Sequence, residues 1–518
     1  MHSILRRSAA AFLLLALAAR AGAADSSGHV TIHADRPGAR IDRHIYGQFA
    51  EHLGRGIYEG VWVGEDSPIP NVRGLRSDVI AALRELHVPV VRWPGGCFAD
   101  EYHWRDGIGP RASRPVRLNT NWGGVPESNA FGTHEFLDFV EQIGADAYIN
   151  GNVGTGSPQE MAEWLQYLTS DKPTTLTAER ARNGHPQPWK IAYFAVGNET
   201  WGCGGNMARE YYVDLFRQYA TFLKAPDGAR PAILASGGHD EDTSWTEALV
   251  SKGGRDVSAI TFHYYTIAGK DWHHKGPALG FSEDQWMATL ENTLKMESFI
   301  SANSAILDQH DSQKKVAFDV DEWGTWYDPE PGREPQFLYQ QNSLRDAVVA
   351  ALNFNIFHQH ADRVRMANIA QMVDVLQAMI LTQGPRMVLT PTYHVFHMFR
   401  PFQDATLLPT DLQAPAYTQD GTSLPAISVS AARTAAGAIA VALVNLDPHR
   451  ALELSVSLSG ATPRTVKGEI LTAAALDAHN TFENPDAVHP TRFTGASIKA
   501  GKLSVSLPAK SVVVLDLE

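Results

Sequence analysis

Between Ile45 and Phe399 the chain repeats one unit, a short apolar run followed by a stretch with helical spacing. The apolar runs lie in HIYGQFAEH, PVVRWPGG, DAYINGN, YFAVGNE, AILAS, AITFHYY, VAFDVDEW and MANIAQ. The helical patterns include GLRSDVIAALRELHV, SPQEMAEWLQYL, AREYYVDLFRQYATFL, WMATLENTLKMESFI and NSLRDAVVAALNFNIF. A strand that feeds a helix rejoins its sheet in parallel, with both sheet faces covered. Eight such units predict closure into an α/β fold, the (β/α)8 TIM barrel. An open doubly wound sheet is the alternative. In SPQEMAEW, Ser157, Pro158 and Glu160 predict a capping-box helix start.

After Pro401 the period changes from helical to alternating. AISVSAAR, AIAVALVNL, ALELSVSLS, TVKGEILT and KLSVSLPAKSVVVLDLE are strands separated by Gly, Pro, Asp and Asn turns. That pattern predicts a C-terminal antiparallel β-sandwich, jelly-roll-like, over residues 401–518. HVTIHADRPGARI has the same alternation, so residues 25–44 are expected to add a strand to the sandwich, with the catalytic barrel over 45–400. A length of 518 residues exceeds one ordinary core and suits this division. No low-complexity linker separates the parts, so a rigid two-domain body is expected.

Residues 1–24 read as a signal peptide: Arg6 and Arg7, an apolar stretch, then Ala21-Gly22-Ala23 as a small-residue cleavage site. The expectation is export to the periplasm or medium. The stretch is short of the ~20 residues that span a bilayer, and the paired arginines also permit a twin-arginine signal. The net charge of −13 speaks against nucleic acid or anionic membrane as partner and suits a neutral substrate. Two cysteines, Cys97 and Cys203, make neither a disulfide framework nor a four-ligand zinc site.

Active sites of such barrels sit at the C-terminal ends of the strands. Polar residues just after the apolar runs therefore become candidates: Glu51, Arg92, Asn198 with Glu199, His263 with Tyr264 and Tyr265, Glu322, and Gln371. Two carboxylates at one rim point to glycoside hydrolysis, in which one acid protonates the leaving oxygen and a second attacks or activates water. Asn198 offers an amide to a sugar hydroxyl. Asp319 and Asp321 are expected to raise the negative field at Glu322, and Trp201, Trp323, Trp326 and Tyr327 to offer flat faces to sugar rings.

Other chemistries fit less well. His263, His273, His274, His358 and His360 have no known metal-ligand spacing, so no metal is expected. No G-x-S-x-G elbow is present. GNVGTG has the order G-x-x-G-x-G, which is not the dinucleotide fingerprint, so no cofactor is expected. His103 in DEYHWRDG reads as structural.

These residues resemble a known family. IYGQFAEHLGRGIYEG, VVRWPGGCFADEYHWRDGIGP, NAFGTHEF, GNVGTGSPQEMAEW, VGNETWGCGGNM, TFHYYT, DEWGTWY and ANIAQMVDVLQAMI are similar, in order, to the α-L-arabinofuranosidases of glycoside hydrolase family 51. The resemblance implies a retaining mechanism with Glu199 as acid/base and Glu322 as nucleophile. It implies that Glu51, Arg92, Asn198, Tyr265 and Gln371 hold the furanose. His263 and Tyr265 would orient the nucleophile, and Trp122 and Trp326 would edge the pocket. It implies as partner an arabinose-containing plant cell-wall polysaccharide or oligosaccharide, and a homo-oligomer.

Two positions depart from the family. Cys97 stands where many members have a sugar-binding Asn, and a thiol is a weaker hydrogen-bond partner. Asp374 stands where Asn is common. Cys97 and Cys203 both fall near the implied sugar site, either as a disulfide or as two thiols. The family's endoglucanase branch keeps a β-glucan or xyloglucan endo-hydrolase open, and a non-catalytic carbohydrate-binding barrel is the remaining reading.

Overall fold

The computed structural model describes residues 27–225, 230–499 and 501–518. The stretch read as a signal peptide lies outside the described residues. Eight parallel strands close a barrel: Gly47–Phe49, Val90–Trp93, Asp146–Gly151, Ile191–Val196, Ala232–Ala235, Ala259–Thr266, Ala317–Thr325 and Ala367–Ile369. Each overlaps one of the eight apolar runs. Inside the lower end of the barrel, Val90, Tyr148, Ala195, Leu234, Ala259, Ala317 and Met366 form one packed layer, each from or just beside a different strand. Such a layer fills the barrel as a core and leaves only the upper end for a site.

The helix at Pro158–Thr169 starts as the sequence implies at Ser157, whose side chain accepts the Glu160 N–H. The reciprocal half of the capping box is absent. The Glu160 carboxylate instead meets His103 Nδ1 at 2.9 Å, because the loop after the second strand brings that ring within reach.

The C-terminal region is a sandwich of one five-stranded and one six-stranded sheet. Its pairs are antiparallel except one: Ser27–His33 lies parallel to Leu452–Ser459 and antiparallel to Thr410–Gln413. A strand from the far end of the chain is free of the hairpin connections that force antiparallel neighbours. The helix Leu344–Gln359, buried along most of its length, joins sandwich to barrel. Asn355 Nδ2 donates to Ser428 Oγ at 3.0 Å, His358 Nδ1 meets Ser430 Oγ at 2.9 Å, and Trp286 Nε1 donates to the Leu446 carbonyl.

Candidate active site

Strand seven carries the feature that builds the site. Its pairing with strand six slips between Thr261 and His263, where Asp319 and Glu322 are the partners, and its pairing with strand eight slips as well. The extra residue is a bulge, which re-aims side chains locally. Asp321 and Glu322, consecutive in sequence, therefore both face the barrel axis. Trp323 resumes the alternation and points outward, fully buried against Phe354 and Phe357.

Arg92 and Tyr265 grip Glu322. Arg92 Nη1 donates to Glu322 Oε1 at 2.6 Å and Tyr265 Oη donates to Oε2 at 2.7 Å. The other guanidinium nitrogen of Arg92 donates to Asn198 Oδ1 at 2.6 Å. One cation thus joins the ends of strands two, four and seven. Burial opposes the Arg92 charge, but Asp321 and Glu322 outweigh it and hold its pKa above the usual guanidinium range.

At strand four the chain leaves the sheet through Gly197, at φ +83°, and Glu199 sits at φ +38°. Left-handed backbone is uncommon for a residue with a Cβ and persists where the surroundings fix it. It turns Asn198 and Glu199 together toward the mouth. His263 bridges the two carboxylates: Nδ1 lies 2.8 Å from Glu199 Oε1 and 3.5 Å from Glu322 Oε2, and Nε2 lies 3.1 Å from Asp321 Oδ1. Burial pulls its pKa down, but the charges of Glu322 and Asp321 prevail and raise it to about 10. The ring is therefore held as an imidazolium, donating from Nδ1 to Glu199 and pairing through Nε2 with the Asp321 carboxylate.

Glu51 Oε1 accepts the N–H groups of Gly96 and Phe98, both at 3.0 Å, and Gln371 Nε2 donates to Oε2 at 3.1 Å. Burial first, then the nearby Glu322 charge, push the Glu51 pKa up to about 7. Gly96 could be nothing larger, since a Cβ there would lie 2.9 Å from Glu322 Oε1.

A small pocket of about 50 Å³ opens over these groups. Glu51, Cys97, Trp122, Asn198, Glu199, Tyr265, Glu322, Trp326 and Gln371 all line it; Arg92 and His263 lie behind and hold the groups that do. Phe49, Leu53, Leu338 and Leu376 complete the wall and carry no polar signature by which a sequence would reveal them. One oxygen each of Glu199 and Glu322, with a nitrogen of His263, lie within 4.8 Å of one another. The trio has metal-ligand reach, yet the Arg92 and His263 cations already balance its charge.

Several expectations need correction. Trp323 is sealed behind the strand and Tyr327 lies buried between Arg345 and Asp346, so neither offers a face to a sugar. Trp201 is half-buried against His239, with ring centroids 3.9 Å apart, leaving Trp326 as the member of that group that lines the pocket. Asp319 and Asp321 do not add two negative charges beside Glu322. Burial, then Asp321, raises the Asp319 pKa to about 8, while Arg92 and His263 outweigh burial to hold the Asp321 carboxyl low. Tyr148, donating to Asp321 Oδ2 at 2.7 Å, was missed; its inward place on strand three was the available signal. Asp100, described below, gave none.

Cys97 and Cys203 form a disulfide. Asp374 accepts the Thr382 N–H at 2.8 Å and faces Arg55 at 3.4 Å, a buried brace in the loop after strand eight. His358 is buried between Tyr46 and Ser430, and burial drops its pKa to about 3.

Comparison with known proteins agrees with this geometry. The α-L-arabinofuranosidase 1 domain model matches residues 82–275, and the α-L-arabinofuranosidase C-terminal domain model matches residues 321–511, from strand seven through the sandwich. An intracellular exo-α-L-arabinofuranosidase of Bacteroides ovatus is 48% identical over 497 residues, 96% of each chain. The crystal structure of a GH51 arabinofuranosidase from Xanthomonas axonopodis pv. citri superposes with a TM-score of 0.94 at 54% identity, covering 95% of this chain and 100% of that one. An α-L-arabinofuranosidase from Thermotoga maritima, solved as an arabinose complex, gives 0.81 at 28% identity, covering 95% and 99%. The Bacteroides comparison overturns the expectation of export to the periplasm or medium: a relative matched along 96% of its length is named intracellular. That expectation rested on the composition of residues 1–24 alone, which carries no fold-level constraint. With both halves of the chain matched and relatives aligned end to end, this protein belongs to the α-L-arabinofuranosidases of glycoside hydrolase family 51.

Proposed function

We propose that the chain is an exo-acting, retaining α-L-arabinofuranosidase that removes terminal α-L-arabinofuranosyl groups from arabinan or arabinoxylan chains. The observation that carries this is the pair Glu199 and Glu322, with oxygens within 4.8 Å of each other in one pocket. Retaining enzymes hold their carboxyl groups ~5 Å apart, and inverting ones leave several ångströms more for a water.

Glu322 attacks the anomeric carbon while Glu199 gives its proton to the departing oxygen, and the glycosidic bond breaks. Water then attacks the arabinosyl-enzyme ester, Glu199 takes its proton, and Glu322 leaves as carboxylate. Arg92 and Tyr265 fix Glu322 in its charged, aimed form before substrate arrives. Glu51, Asn198 and Gln371 face the furanose hydroxyls, Cys97 adds pocket wall, and Trp122 and Trp326 close the sides. A small pocket edged by Trp122 and Trp326 favours a chain end over a mid-chain segment, which supports exo action over a β-glucan endo-hydrolase.

Stereochemistry tests the reading. Early 1H NMR spectra of 4-nitrophenyl α-L-arabinofuranoside turnover should show α-arabinofuranose first. β-Arabinofuranose as first product means inversion and removes the mechanism. Release of glucan oligosaccharides from cellulose, with none of arabinose from branched arabinan, favours the endo-hydrolase.

A further inference from the structure

The Asn198–Glu199 segment is tied twice to the segment that follows strand two. The first tie is the Cys97–Cys203 disulfide, which joins chain positions 106 residues apart. The second is the carboxylate of Asp100, three residues after Cys97. Its Oδ2 accepts the Asn198 N–H at 3.0 Å, and its Oδ1 accepts the N–H groups of Val153 and Gly154 at 2.7 and 3.0 Å. Asp100 is buried and so joins the tops of strands two, three and four. The loop closes tightly on it: a Cβ at Gly204 would fall 1.7 Å from the Asn198 carbonyl oxygen and 2.8 Å from Asp100 Oδ2.

Between these ties sits Glu199, in left-handed backbone that its own conformational preference does not select. Its carboxylate has one strong side-chain partner, His263, and its Oε2 lies 3.5 Å from Cys203 Sγ. The Asp100 clamp fixes the peptide before Asn198, and the disulfide fixes the chain four residues after Glu199.

We propose that Asp100 and the Cys97–Cys203 disulfide are positioning groups for proton transfer, holding Glu199 where it reaches the leaving oxygen, and that opening the disulfide with a dithiol lowers acid catalysis. This rests on Glu199 being the acid/base. Dithiothreitol would pass two electrons and two protons to the two sulfurs, giving two thiols, and would itself close to a cyclic disulfide. Cys203 is exposed, so the reductant can reach it.

The test is kcat/KM, which reports bond cleavage to the leaving group, on 2,4-dinitrophenyl, 4-nitrophenyl and methyl α-L-arabinofuranosides. The enzymes are wild type before and after dithiothreitol, the Cys97→Ser/Cys203→Ser double variant, Asp100→Asn and Glu199→Gln. A misplaced acid costs most where the leaving group most needs a proton. The reduced enzyme, the double variant and Asp100→Asn should each lose about tenfold or more on the methyl glycoside and less than about twofold on the dinitrophenyl one. Dithiothreitol should leave the double variant unchanged. A merely structural role would lower all three substrates alike. Equal loss on all, or no loss on any, overturns the proposal, and if Asp100→Asn does not fold the two cysteine arms decide alone. Glu199→Gln separates the two levels: a flat loss there refutes the acid/base assignment, whereas a steep loss there with flat profiles in the tied variants refutes the positioning role only.

Discussion

The ends of strands four and seven each present a glutamate to the same pocket, yet they are built in opposite ways. Glu322 stands on a regular strand bent by a bulge, its side chain 6% exposed, gripped by a cation and a phenol. Glu199 stands just past its strand on left-handed backbone, 19% exposed, with an imidazolium beside it. The difference matches the two tasks proposed for them. A nucleophile must be charged and immobile before substrate binds, which favours burial with donors on both oxygens. An acid/base must return a proton to water once per turnover, which favours contact with solvent.

The contrast is broken most severely at Glu322. Glu322→Ala should lower kcat/KM by about 10⁴- to 10⁶-fold on every arabinofuranoside, whatever its leaving group. Azide added to it should yield the inverted glycosyl azide; undiminished turnover would remove the nucleophile assignment. At Glu199 the loss should depend on the leaving group. Glu199→Ala should lose about 10²- to 10⁴-fold on a methyl glycoside and little on a dinitrophenyl one, with azide giving the retained product. A flat profile would show that the two carboxylates are not divided as described.

Smaller changes sharpen the comparison. Tyr265→Phe removes one donor from the charged Glu322, and a hydrogen bond to a charge of this kind corresponds to about 10- to 100-fold in kcat/KM. Glu199 keeps its partner in that variant, so the leaving-group dependence should stay as in wild type. Asp319→Asn should leave activity nearly unchanged and alter only stability. The Asp319 pKa is raised from 3.8 to about 8, chiefly by burial. Between those values the folded chain holds a proton that the unfolded chain releases, so this group's contribution to stability falls as pH rises. In Asp319→Asn the melting temperature should decline less between pH 4 and pH 8 than in wild type. An unchanged slope would mean that the buried carboxyl is ionised.

Much of the architecture was legible because burial writes a period into sequence. Each barrel strand overlaps a visible apolar run, and sandwich strands such as Leu452–Ser459 and Lys502–Leu507 alternate, whereas Ile439–Asn445 is buried throughout. Placing polar residues at strand ends also named side chains that the structure gathers around one pocket. What could not be read depends on contacts between distant segments. Alternation alone would put Glu322 on the face opposite Asp321; the bulge that reverses this shows only in the pairing with strands six and eight. The same omission made Trp323 look like a sugar platform when it is a core residue. Asp100 looks like any loop aspartate until strands two, three and four are assembled around it. Cys97 and Cys203 are 106 residues apart, and no local pattern links them.

The division of labour between the two glutamates is tested most directly by trapping the covalent intermediate. In Glu199→Gln, 2,4-dinitrophenyl α-L-arabinofuranoside should still transfer its sugar, because that leaving group needs no proton, while hydrolysis of the ester stalls for want of a base. Intact-mass spectrometry should then show one arabinosyl group per chain, and peptide mapping should place it on Glu322. An enzyme that turns over without an adduct, or an adduct on any other residue, would contradict the account.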